Sequence, residues 1–96
     1  MEERNMIPAS ECCAYYHVET SFIDSLEEYG LIELQILEEK KFVPAERLQD
    51  LEKFIHLHYD LNINMEGLDA ISHLLGRLRH LQNEMTALRN KLRIYE

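Results

Sequence analysis

The strongest statement in this sequence is an unbroken 3-4 spacing of apolar residues toward its C-terminus: Ile71, Leu74, Leu78, Leu81, Met85, Leu88, Leu92 and Tyr95. With Ile71 at heptad position a, the a positions are Ile71, Leu78, Met85 and Leu92, and the d positions are Leu74, Leu81, Leu88 and Tyr95. A strand would alternate every two residues, so a 3.5-residue repeat demands a helix lying along another helix. Asn64 is a good N-cap, and a helix from Met65 to near Tyr95 would be about 45 Å long at 1.5 Å per residue. Leu68 and Leu75 widen the stripe at the end that must join the rest of the chain. The preceding residues are too few to cover the far half. The seam therefore predicts a partner helix, most simply a second copy in a homodimer. Charges beside the seam leave its direction open. A parallel pair would place Glu84 against Arg89 and Lys91 against Glu96, and exposed pairs of this kind are worth little.

A chain of 96 residues has room for one small core before that helix. The expected organisation is a domain over residues 1–64 and a dimerisation helix over 65–96. Only three Gly and two Pro interrupt the chain, and 46% of it is apolar, which favours helices. Ile7–Tyr16 reads as a first helix, with Pro8 in its first turn and Ser10 as a cap. After a tight turn at His17-Val18-Glu19, Thr20 and Ser21 open a second helix that Gly30 ends. Together they make a helix-turn-helix. Leu34–Leu37 and Lys41–Val43 flank Glu38-Glu39-Lys40 and suggest a small two-stranded wing. Pro44 starts a third helix that reaches about Tyr59, with Leu48, Leu51, Phe54, Ile55 and His58 on its apolar stripe. Asp60–Asn64 is a turn in which Asn62 can take the left-handed conformation. The expected fold is thus mainly α, a winged helix-turn-helix followed by a long coiled-coil helix.

The formal charge is −8, and it is unevenly placed. Residues 1–60 hold five Lys/Arg against fourteen Asp/Glu, a net of −9, while residues 61–96 hold five against four, a net of +1. Asp24, Glu27 and Glu28 lie on the second helix, which has no Lys or Arg, and each like-charge approach to phosphate opposes binding. Nucleic acid is therefore an unfavoured partner, and the acidic stretch reads either as a solvated surface that aids solubility or as a docking face for a basic protein.

Chemistry-bearing motifs are sparse. The sequence has no Gly-rich phosphate loop, Cys-x-x-Cys or His-Glu-x-x-His. Cys13 and His17 are four apart, but two ligands do not make a metal site, and Cys12 and Cys13 read as core packing. His56 and His58 point to different helix faces. His73 and His80 read as solvated surface, with His80 in reach of Glu84. The expectation is no enzyme, no catalytic residues, no metal and no cofactor. Adjacent cysteines, no membrane-length apolar run and a charged N-terminus lead to an expected cytoplasmic location without a membrane partner.

This order of elements resembles the MerR-type winged helix. Val18 falls where that superfamily has a buried turn Val, and Glu27 falls where it has a Glu. Its DNA-binding members carry Arg-Tyr-Tyr where this chain has Asp24-Ser25-Leu26, and Ser21 replaces a further basic position. Within the superfamily the chain resembles the chaperone modulatory protein CbpM family. Ser10-Glu11-Cys12-Cys13 looks like that family's Thr-Glu-x-Cys start, and Gly30-Leu31-Ile32-Glu33 is similar to its Gly-Val-Val-Glu segment. Leu61-Asn62-Ile63-Asn64-Met65-Glu66-Gly67-Leu68 resembles its Leu-x-Leu-Asp-x-x-Gly-Ile approach to the last helix. Leu34 departs from it, standing where the family has Pro. The resemblance implies binding and inhibition of the J-domain of a DnaJ-like, CbpA-type co-chaperone through the basic helix that J-domains present. Asp24, Glu27, Glu28 and Glu33 would form the acidic face, with Tyr29 as apolar anchor. The alternative expectation is a MerR-family DNA-binding transcriptional regulator that uses helix two, Lys40 and Lys41.

Overall fold

The computed structural model describes residues 5–95. Three short strands, β1 (Met6–Pro8), β2 (Gln35–Leu37) and β3 (Lys40–Pro44), form one antiparallel sheet in the order β1-β3-β2. Four helices accompany it: α1 (Ala9–Tyr16), α2 (Thr20–Glu28), α3 (Leu48–Ile55) and α4 (Met65–Ile94). The fold is the expected winged helix-turn-helix with a long terminal helix.

The wing has three strands rather than two, because the start of the first expected helix is a strand. Ile7 precedes Pro8, which biases it away from helical backbone. Pro8 itself is extended at φ −54° and ψ 137°. Met6, Ile7 and Pro8 pair with Pro44, Val43 and Phe42 of β3. α1 consequently begins at Ala9, and Ser10 lies inside its first turn without capping it. The third helix is also shorter than the stripe suggested. A 3-10 turn at Ala45–Arg47 precedes α3, and a π-helical turn at His56–Asp60 follows it.

The connections follow from local chemistry. α1 ends at His17 in the left-handed region (φ 60°), where its N–H donates back to the Cys13 carbonyl. Gly30 (φ 72°) closes α2, with Leu31 N–H donating to Leu26 O at 2.9 Å and Gly30 N–H to Glu27 O at 3.0 Å. That pair of bonds satisfies the last-turn carbonyls and turns the chain toward the wing. β2 and β3 join through the two-residue turn Glu38-Glu39, both at positive φ (51° and 66°), with Leu37 paired to Lys40. The mirror-image turn matches the strand twist but strains side chains that are not Gly or Asn. At the head of α4, Asn64 Oδ1 accepts from Gly67 N–H at 2.8 Å. A Cβ on Gly67 would sit 2.5 Å from Ile63 Cγ2, so glycine allows that turn to close.

The core lies where α1, α2, α3, the sheet and the first turns of α4 meet. Ile23 and Leu26 of α2, Val43 of β3, Leu51 of α3 and Leu68 of α4 are almost fully enclosed. Cys12 and Cys13 are buried free thiols, as their apolar setting suggested. Burial pushes the Cys12 thiol up, which suits packing rather than nucleophilic chemistry. α4 leaves this core after its third turn, and every residue from Gly76 to Tyr95 is exposed. The protein accordingly measures 56 Å along its longest axis. No helix among the described residues is long and apolar enough to cross a membrane.

Candidate functional site

Asp24, Glu27 and Glu28 are spaced i, i+3, i+4, so the α2 helix places them on one side. The sheet meets that side. Side chains two apart on a strand share a face, so Lys41 points the same way as the buried Val43 and reaches α2. Lys41 Nζ donates to Glu27 Oε1 at 2.8 Å and to Asp24 Oδ1 at 3.2 Å. The two carboxylates hold the ammonium above its usual pKa, with Glu27 the larger influence. Asp24 and Glu27 are thus drawn into a clasp between helix and wing, with side chains still 48% and 31% exposed. Glu28 and Glu33 are exposed, and neither has a side-chain hydrogen bond or ion pair among the described residues.

Tyr29 stands beyond the end of α2. Its hydroxyl donates to Glu66 Oε2 at 3.0 Å, tying this end of the face to the first turn of α4. The bond to that carboxylate raises the phenol above its ordinary pKa. The ring remains 40% exposed and offers apolar area beside Glu28. All five expected partner-binding residues therefore lie on α2 or just after it. Two of them are shared with Lys41, and one is held by α4.

The wing adds two groups that sequence reasoning passed over as turn residues. Glu38 and Glu39 form its tip, where they are exposed. Lys41, expected above only as a phosphate contact, is instead held by Asp24 and Glu27. The one signal for it was its spacing from Val43, which became informative only once Val43 was known to face the core. Of the two lysines beside α2, Lys40 is exposed and Lys41 is occupied by acids of its own chain.

The histidines serve local roles. His58 Nδ1–H donates to the Ile63 carbonyl at 2.8 Å, and its ring stacks on Phe22 with centroids 4.9 Å apart. His80 Nε2 lies 3.0 Å from Glu84 on the exposed helix, the pairing its spacing suggested. No group of three or more His, Cys, Asp or Glu among the described residues gathers as a metal site would require.

Along α4, Ile71 is half-buried while Leu74, Leu78, Leu81, Met85, Leu88, Leu92 and Tyr95 are between 51% and 86% exposed. The seam is therefore an apolar stripe that the domain's own core does not cover.

A helix-turn-helix backed by a three-stranded wing and continued by one long helix defines the winged-helix class of regulatory domains. The chain belongs to the MerR HTH family of regulatory proteins, which it matches over residues 7–90, from β1 well into the exposed seam. No curated protein and no solved structure matches it.

Proposed function

We propose that this chain is a non-enzymatic chaperone modulator, a homodimer in the cytoplasm that binds the J-domain of a DnaJ-like, CbpA-type co-chaperone and inhibits it. One observation carries the reading. The helix that a DNA-binding relative would present to phosphate carries Asp24, Glu27 and Glu28 and has no Lys or Arg. The wing tip, Glu38-Glu39, has the same sign. An acidic face beside an exposed tyrosine complements a basic helix, with charge supplying on-rate and the ring supplying contact area. Occupying the basic helix of a J-domain would block its handover to the chaperone partner, with no chemical step. The resemblance to the chaperone modulatory protein CbpM family names this partner. The exposed α4 seam supports a second copy as the dimer partner.

A DNA-binding regulator is the alternative. Its two candidate phosphate contacts beside α2 are Lys40 and Lys41, and the clasp leaves only Lys40 available.

Binding of a purified J-domain, measured by biolayer interferometry, tests the proposal. The protein is expected to bind, and to bind more weakly as salt rises. Reversing Asp24, Glu27 and Glu28 together to Lys should weaken binding by about tenfold or more, a loss of about 1.4 kcal/mol per decade. Because that triple variant also breaks the clasp, Glu28→Lys with Glu33→Lys serves as a second variant that leaves Lys41 paired. Unchanged affinity in both variants would remove the face assignment. No binding by the unaltered protein, together with sequence-selective nanomolar binding to DNA, would replace the proposal with the alternative.

A further inference from the structure

A second surface lies between α1 and α3. Ile7, Cys12 and Leu48 contribute apolar atoms to a groove of about 430 Å³, and Tyr15 and Tyr16 stand beside them. Tyr15 is 77% exposed, although it is one of the largest apolar side chains in the domain. Its ring meets that of Tyr16 edge-on, with centroids 4.9 Å apart and planes at 85°, so the two rings form a wall rather than a loose surface tyrosine. Tyr16 is anchored in turn, because its hydroxyl donates to Glu52 Oε2 at 2.7 Å. Glu11 from α1 and Glu52 from α3 complete the lining. Both are exposed, and among the described residues no Lys, Arg or His lines the groove.

We infer that this groove docks an amphipathic helix of a partner protein, with an apolar residue seated on Ile7, Cys12 and Leu48 and with Lys or Arg flanking it toward Glu11 and Glu52. Charge complementarity selects the occupant. Two carboxylates at an apolar groove favour a basic ligand, and the exposed Tyr15 face offers a cation–π contact to the same side chains. The form of the groove selects a helix over a small molecule. With Tyr15 this exposed, a small ligand would keep much of its surface in water, whereas a helix lays an i, i+3, i+4 edge along an open groove. A tyrosine wall held by a hydrogen bond is pre-ordered, which lowers the entropic cost of docking. No residue is shared with the α2 face, so the inference stands apart from the co-chaperone proposal.

The probe is a synthetic helical peptide with a Leu stripe flanked by lysines, compared with the same peptide carrying glutamates in their place. Binding to the full-length, isotope-labelled protein is followed by amide chemical shifts and by fluorescence polarisation. The lysine peptide should move the amides of Glu11, Tyr15, Tyr16, Leu48 and Glu52, and the glutamate peptide should bind at least about tenfold more weakly. Tyr15→Ala and the pair Glu11→Lys with Glu52→Lys should each reduce affinity by about fivefold or more. Asp60→Lys with Glu84→Lys, which changes the total charge equally outside both surfaces, should leave it within about twofold. Circular dichroism confirms that each variant is folded. The inference is overturned by shifts confined to the α4 seam or the α2 face, by an equal loss in the Asp60→Lys with Glu84→Lys variant, or by no binding.

Discussion

Replacing Leu81 by Ala should weaken self-association of this protein sharply while leaving its domain folded. Leu81 is 54% exposed in the single chain and sits at a d position near the middle of the seam. Burying a whole leucine side chain is worth about 1.5–3 kcal/mol, so closing the exposed half gains roughly 1–1.5 kcal/mol per chain. Two copies lose that term together, which makes about 2–3 kcal/mol per dimer. At about 1.4 kcal/mol per decade, this is a dimer roughly thirty- to a hundredfold weaker. Sedimentation equilibrium over a concentration series reads the constant directly. Ala has the highest helix propensity, so the change does not act by unwinding α4. Replacing Ile94, which is 79% exposed and outside the a and d positions, is the control and should leave the constant unchanged. A chain that stays monomeric at several hundred micromolar would refute the reasoning, as would a Leu81→Ala dimer as tight as the original. Either result would mean that the stripe is not where two copies meet.

Two further expectations concern the domain itself. The Lys41 clasp should make stability fall at high pH. The folded-state pKa of Lys41 is raised, so its contribution is complete below the ordinary lysine value and is lost as pH rises through the folded one. Lys41→Met should lower the melting temperature at neutral pH and flatten this alkaline fall, and an unchanged pH profile would show that the clasp contributes nothing. At the head of α4, Asn64→Ala removes the side chain that accepts from Gly67 N–H and should cost about 1 kcal/mol in urea unfolding. A loss below a few tenths would mean that water replaces the cap at no cost.

Much of the fold was legible because it rests on local, periodic signals. The long α4 helix, the Gly30 stop, the left-handed Asn62 and the Asn64 cap are short-range rules, and all four hold. The strand at Met6–Pro8 was not legible. Its pairing partner Val43 is thirty-six residues from Ile7, and three residues carry too little pattern to announce a strand. The π-helical turn at His56–Asp60 was hidden for a related reason, since an apolar stripe reads the same through a widened turn.

The sequence alone determined the sign of the surface and the existence of the seam. Charge is a sum over residues, and heptad spacing is a property of one helix. Tertiary structure decided which of those charges remain available. Lys41 and Asp24 are seventeen positions apart, and the clasp exists because Val43 enters the core and carries Lys41 to the same face of the sheet. Folding likewise brought Tyr16 to Glu52, thirty-six positions away, and so made a fixed wall of two adjacent tyrosines. Pairing across such separations depends on packing, and no local pattern encodes it.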